Sequence, residues 1–263
     1  MCIWKKTLMI LLDVLLAVYL IFAVTSFNQP DVSAKVCKKV PIDIQDENTN
    51  GFLNKEELRH LLEKKKIYPL EKPVCEINPR RVEELLKSSP FVQSAECYLM
   101  QNGHVNIEIT QRLPIVRIKS EEGDDYYLDD NGGILPHSHY TSDLIVATGH
   151  ISRAFAASYL PKVATWIMGH ELWKDQIVQI NVLHDLGIEL VPRVGEHVVF
   201  LGYLPELRKK ERHREQVEKF LAAKLDRLMK FYQYGLSKVG WNKYSYINLE
   251  FDNQIICKKN KNI

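Results

Sequence analysis

The sequence predicts an α+β protein. A single N-terminal transmembrane helix leads into a strand–helix–helix–strand–strand unit. A mixed β-sheet domain with a long C-terminal amphipathic helix and final β-strands follows. Three observations predict this. Residues 7–27 form an apolar run, two capped helical patterns precede an Asn-Gly hairpin, and alternating apolar segments recur to the C-terminus.

The run Leu8–Val24 is apolar except for Asp13, and with its flanks it reaches the roughly 20 residues that cross a hydrocarbon core. Lys5 and Lys6 precede it and the next basic residue is Lys35, so residues 1–6 are expected as a cytoplasmic tail, with the C-terminal bulk outside. A cleaved signal peptide fits less well: the run exceeds a signal h-region, and Thr25-Ser-Phe-Asn-Gln29 offers no small-x-small site. Asp13 has two readings, snorkelling to the headgroups or a polar contact with a partner helix.

Residues 28–37, with Pro30 and Ser33, read as a linker. Lys39–Gln45 alternates as a strand. Leu58, Leu61 and Leu62 then share a helical face over 53–66, with Asn54 as N-cap. Asn78 caps a second helix through Lys87, with Pro79 at its first position and Val82, Leu85 and Leu86 as its buried stripe. Ser88-Ser-Pro90 stops it. Val92–Met100 and His104–Arg112 form a hairpin across Asn102-Gly103. This unit is expected over 38–118, and a second domain over 119–258.

In the second domain, Tyr126–Leu128 and Ile134-Leu135 flank a turn-like Asp129-Asp-Asn-Gly-Gly133. A helix is expected over Arg153–Trp173, and strands at Ile177–Leu183, Gly187–Val191 and His197–Leu201. From Pro205 to Gly235 apolar residues recur at helical steps (Val217, Leu221, Leu225, Leu228), opposite a charged face that reads as solvated. Tyr244–Phe251 and Gln254–Cys257 close the pattern as strands, ahead of a charged tail over 259–263.

Several function classes receive no support. The net charge of +2 is too small to indicate nucleic-acid binding. Acyl-transfer serine signatures and phosphate-cradling glycine loops are missing. His137-Ser-His139 lacks a companion zinc motif, and Asp124-Asp125 and Asp129-Asp130 point to opposite strand faces. No enzyme, catalytic residue, cofactor, resident metal or small-molecule substrate is therefore expected. Cys37, Cys75, Cys97 and Cys257 permit three full disulfide pairings, and buried free thiols fit as well.

Asp46–Glu57 matches a calcium loop, with Asp46, Asn48 and Asn50 at alternate ligand positions, Gly51 at the sixth and Glu57 at the twelfth. A strand rather than a helix precedes it, and only one copy exists. A polar strand-to-helix connection is the preferred reading, and a calcium-responsive ectodomain the alternative.

The βααββ order outside one anchor resembles a POTRA domain. Val82-Glu-Glu-Leu-Leu-Lys-Ser-Ser-Pro-Phe-Val92 is similar to that fold's helix-to-strand passage, and Gln111-Arg-Leu-Pro114 resembles its closing Glu-Arg-x-Pro. Tyr127-Leu-Asp129, Gly133-Ile-Leu-Pro136 and Ile247–Asp252 then resemble the β-domain of the FtsQ/DivIB family of bacterial division proteins. The resemblance implies a non-enzymatic divisome scaffold in the inner membrane at the septum. Such a scaffold recruits FtsB/FtsL-type bitopic partners for septal peptidoglycan synthesis. It also implies that partners add to the late strands, here through Tyr246, Ile247, Leu249, Glu250, Phe251, Asn253 and Ile255. About half of these seven are expected to be sheet core instead.

Overall fold

In the computed structural model, residues 2–27, 35–45, 53–100, 102–137, 144–206 and 210–261 are described. They fall into two compact units, one through Gln111 and one from Arg112. The calcium-like stretch 46–52 and most of the expected linker lie outside the described residues.

The first helix, α1, spans Cys2–Phe27 over 26 residues. Its large apolar side chains from Leu8 to Phe22 are exposed. No helix among the described residues is long and apolar enough to cross a membrane, so the span expected at 7–27 is not shown. The unbroken stretch of described side chains, 7–23, makes about 26 Å of helix against a hydrocarbon core of about 30 Å.

The rest of the first unit is a three-stranded sheet under two helices. Strand β1 (Ile42–Gln45) pairs in parallel with β3 (Val105–Gln111), which pairs antiparallel with β2 (Val92–Leu99). Helix α2 (Lys55–Lys64) begins where the Asn54 side chain accepts the Glu56 N–H at 3.0 Å. Helix α3 (Pro79–Lys87) begins where Asn78 accepts the Arg81 N–H at 3.3 Å. Both caps satisfy donors that have no partner within the helix. Leu58 and Leu62 from α2 and Val82 and Leu86 from α3 bury against Val105, Ile107 and Ile109 of β3. Truncating Leu62 to Ala in that core should cost about 2–5 kcal/mol.

The second unit is built on a nine-stranded sheet in the order β12-β11-β10-β9-β8-β7-β4-β5-β6. Its strands are β4 (Pro114–Ser120), β5 (Asp125–Asp129), β6 (Ile134–Leu135), β7 (Ile145–Gly149), β8 (Ile177–Val182), β9 (Gly187–Pro192), β10 (Val198–Tyr203), β11 (Tyr244–Asn248) and β12 (Ile256–Lys259). Strands β4, β7 and β8 run parallel to one another, as do β10 and β11. On β4, Val116 and Ile118 are buried while Arg117 and Lys119 face the other way, the period-two pattern of a strand covered on one side. Helices α4 (Arg153–Met168) and α6 (Lys210–Phe231) cover that side through Leu160, Val163, Ile167, Leu221, Leu225 and Leu228.

Four elements differ from the sequence reading. Pro114–Ser120 was assigned with the first domain, but it is a separate strand paired to β5 and β7, so the compact units meet at Gln111/Arg112. The helix expected over Arg153–Trp173 breaks at Gly169 and resumes as α5 (Glu171–Gln176). The long helix does not stop at Gly235. It passes through a π-turn (Tyr232–Leu236) and a last turn, α7 (Ser237–Val239), and ends at Gly240, whose φ of +99° suits glycine. Tyr244–Phe251 is a strand only to Asn248, because the Asn248 side chain accepts the Glu250 N–H at 2.7 Å and turns the chain.

Candidate partner-binding edge

The last three strands bring the C-terminal segment to one end of the sheet. Strand β11 docks in parallel on β10 (Val199 opposite Ile247) and pairs antiparallel with β12 (Ile247 opposite Cys257). The Leu249 N–H donates to the Phe200 carbonyl at 2.8 Å, which carries the pairing one residue beyond β11. Among the described residues strand β12 has β11 as its one neighbour in the sheet order, so its other side is an edge. An edge strand presents backbone N–H and C=O groups to whatever strand approaches.

The seven residues expected to bind a partner occupy different environments. Ile247 and Leu249 are fully buried in the core of the second unit. Tyr246 stacks against Phe200, with ring centroids 6.5 Å apart, and its hydroxyl donates to Glu189 at 3.0 Å. Burial pushes its phenol pKa up, and the bond to the Glu189 carboxylate adds to the shift. Glu250 is half-buried beside Gly202, where a bulge in β10 with φ +98° gives it room. Ile255 packs partly against the core. Phe251 is 46% exposed and Asn253 is exposed. The surface residues are thus Phe251 and Asn253, joined by Ile256 of β12 at 47% exposure, a position the sequence reading left out.

Two cations of α6 hold the connection between β11 and β12. Lys224 is 5% exposed, and its ammonium donates to the Leu249 carbonyl at 2.8 Å, the Glu250 carbonyl at 2.6 Å and an Asp252 carboxylate oxygen at 3.4 Å. These three acceptors match its three N–H donors. Arg227 donates to the Phe251 carbonyl and, at 3.4 Å, to that of Leu249. The corner is therefore fixed from the helix by charge-assisted bonds to backbone oxygens. Neither cation was singled out from sequence. The available signal was a lysine lying on the same helical stripe as Val217, Leu221 and Leu228.

On the same sheet rim the β8–β9 turn is held by Asp185. Its carboxylate accepts the Gly187 N–H at 3.0 Å and the Tyr203 hydroxyl at 2.9 Å, and both bonds draw its pKa below the ordinary carboxylate range. The two aspartate pairs of the sequence are structural. Asp124 and Asp125 bind Arg153 and Arg117, and Asp129 binds Arg112 at 2.6 Å while accepting the Asn131 and Gly133 N–H groups.

Comparison with family models matches residues 35–110 to the POTRA-like domain and residues 113–258 to the FtsQ/DivIB C-terminal related domain. A search of curated proteins finds no match. The second of these domains covers more than half of the chain and takes in the nine-stranded sheet up to Lys258 of its last strand, which settles the resemblance read from the motifs: the chain belongs to the FtsQ/DivIB family of cell-division proteins.

Proposed function

We propose that the chain is a non-enzymatic, bitopic membrane scaffold of the bacterial divisome. In this reading it recruits FtsB/FtsL-type partners by β-strand addition, and through them regulates septal peptidoglycan synthesis. The observation that carries the proposal is the unshared edge of β12 beside exposed Phe251 and Ile256. Strand addition takes affinity from main-chain hydrogen bonds and selectivity from alternate side chains, and both are on offer there. Lys258 and Lys259 guard the edge against indiscriminate pairing, since lysines on an edge strand oppose self-association. Ile247 and Leu249 are buried in the core, and in this reading they hold the edge in place rather than touch the partner.

The membrane tether is part of the same proposal. Helix α1 is about 39 Å long at 1.5 Å per residue, and its large apolar side chains from Leu8 to Phe22 are exposed. With Lys5 and Lys6 at its start, the N-terminus faces the cytoplasm, and the two folded units lie on the far side of the inner membrane.

The test is capture of FtsB/FtsL-type partners by the full chain carrying Glu250→Lys together with Phe251→Ala, alongside imaging of a fluorescent fusion in dividing cells. Loss of capture with retained folding is expected, as is midcell enrichment of the parent. Undiminished capture sinks the interface, and uniform membrane fluorescence without midcell enrichment sinks the division role.

A further inference from the structure

Three neighbouring parallel strands end together on one rim of the large sheet. Beyond the last residue of β4 comes Glu121, beyond β7 comes His150, and just past β8 comes His184. These side chains are separated by about thirty positions each in sequence, so no short motif announces them. Their ligand atoms all lie within 4.8 Å of one another. His184 Nε2 is 3.7 Å from Glu121 Oε2, and the His150 and His184 rings are 5.0 Å apart.

The backbone beneath them is fixed. The Glu121 N–H donates to Gly149 O at 3.0 Å and the His150 N–H to Val182 O at 2.8 Å, tying each ligand to the neighbouring strand. The turn that carries His184 is closed by the Leu186 N–H to Leu183 O at 2.9 Å, and by the Asp185 bonds to Gly187 and Tyr203. The exposed side chains of Glu121 and His184 are free to close the remaining gap by rotation.

We propose that Glu121, His150 and His184 form a divalent transition-metal site of the zinc class on this rim. Two imidazoles and one carboxylate make up the three-ligand set that zinc accepts with a fourth position left for water or an outside donor. Zinc–ligand bonds of 2.0–2.2 Å in a tetrahedron set neighbouring ligand atoms about 3.4 Å apart. The His184–Glu121 separation of 3.7 Å is already close to that value. Imidazole ligands disfavour calcium and magnesium, which take oxygen donors. The site lies three strand spacings, about 14 Å, from β11 along the same rim. It is a separate feature from the β12 edge and stands without the function proposed above.

The test uses the full chain without a histidine tag, purified in detergent and titrated with zinc alone by calorimetry and by competition with a chromophoric chelator. One saturable equivalent is expected, and His150→Gln, His184→Gln and Glu121→Gln should each weaken it by at least about tenfold. The distant His60→Gln should leave it unchanged. Cobalt(II) in place of zinc should give visible d–d absorption that disappears in the His184→Gln variant. Metal-free melting of each variant checks that it is folded. Absence of a saturable equivalent in the parent, or its survival in the triple variant, overturns the proposal.

Discussion

Lys224→Met tests how the β11–β12 corner is held. The substitution keeps an apolar stem of similar length and deletes the ammonium that bonds Leu249 O, Glu250 O and Asp252. Leu249 O keeps a long bond from Arg227 at 3.4 Å, whereas Glu250 O loses its 2.6 Å donor. A buried acceptor left without a donor costs roughly 1–3 kcal/mol, and a bond to a charged group is worth about 1.5–3 kcal/mol. The contact with Asp252, which is 86% exposed, adds at most about 1 kcal/mol. Relief from keeping an ammonium out of water acts in the opposite direction. The net expectation is a loss of about 2–4 kcal/mol from these terms. For a unit of this size that lowers its melting temperature by roughly 6–12 °C. Circular dichroism measures the melting, and hydrogen exchange at the Leu249 and Glu250 amides locates the damage. A melting point within about 2 °C of the parent, with unchanged protection at both amides, would show that Lys224 does not secure the corner.

Three further outcomes follow from local chemistry. His197 is buried and bonded to the Tyr232 hydroxyl at 2.7 Å, and burial holds its pKa below the ordinary imidazole value. The unfolded chain therefore takes up a proton at this site first as pH falls below about 6.5, so stability should decline from there toward the folded pKa. Its slope is at most about 1.4 kcal/mol per pH unit, and His197→Gln should flatten it in melts between pH 7 and 5. The Cys97 thiol is pushed up to about 12, by burial first and then by nearby Glu83, and Cys37 is fully buried. Of the cysteines at 37, 75, 97 and 257, Cys75 should react first with a thiol reagent and Cys37 and Cys97 only on unfolding, as mass mapping of the labelled protein can check. Gly132→Ala would place a Cβ 2.4 Å from the Ala157 backbone oxygen at a φ of +81°. A loss of about 2 kcal/mol or more is expected in denaturant melts, and a neutral result would mean that the turn adopts another path.

The first unit was the more legible part because its signals are local. Asn54 and Asn78 cap the helices they were expected to cap, and Asn102-Gly103 turns the β2–β3 hairpin, with Gly103 at φ +82°. In the second unit β7 was the strand hardest to read. Ile145–Gly149 does alternate in burial, but apolar Val146 sits on its half-buried face and small Ala147 and Gly149 on its buried one, so five residues give no apolar–polar alternation. Pro114–Ser120 follows β3 so closely in sequence that the change of sheet shows only in its pairing with β5 and β7, with the Arg112–Asp129 ion pair beside it. Among the candidate site residues, alternation alone could not separate Ile247 from Phe251. What divides them is the turn after Asn248, set by a side-chain bond to the backbone. The Glu121, His150 and His184 cluster was invisible because it is assembled by strand order and not by spacing.

The insertion of α6 between β10 and β11 has a consequence for synthesis. Strands β4 to β10 are complete by Tyr203, but β11, the second partner of β10, begins at Tyr244, after the whole of that helix. Until Tyr244–Asn248 emerges, Val198-Val-Phe-Leu-Gly-Tyr203 is an unpaired apolar border on its β11 side. A nascent or prematurely terminated chain ending before Tyr244 therefore carries a sticky seam that the finished protein never shows. Nonsense alleles in that interval should yield aggregates rather than a shortened but soluble product.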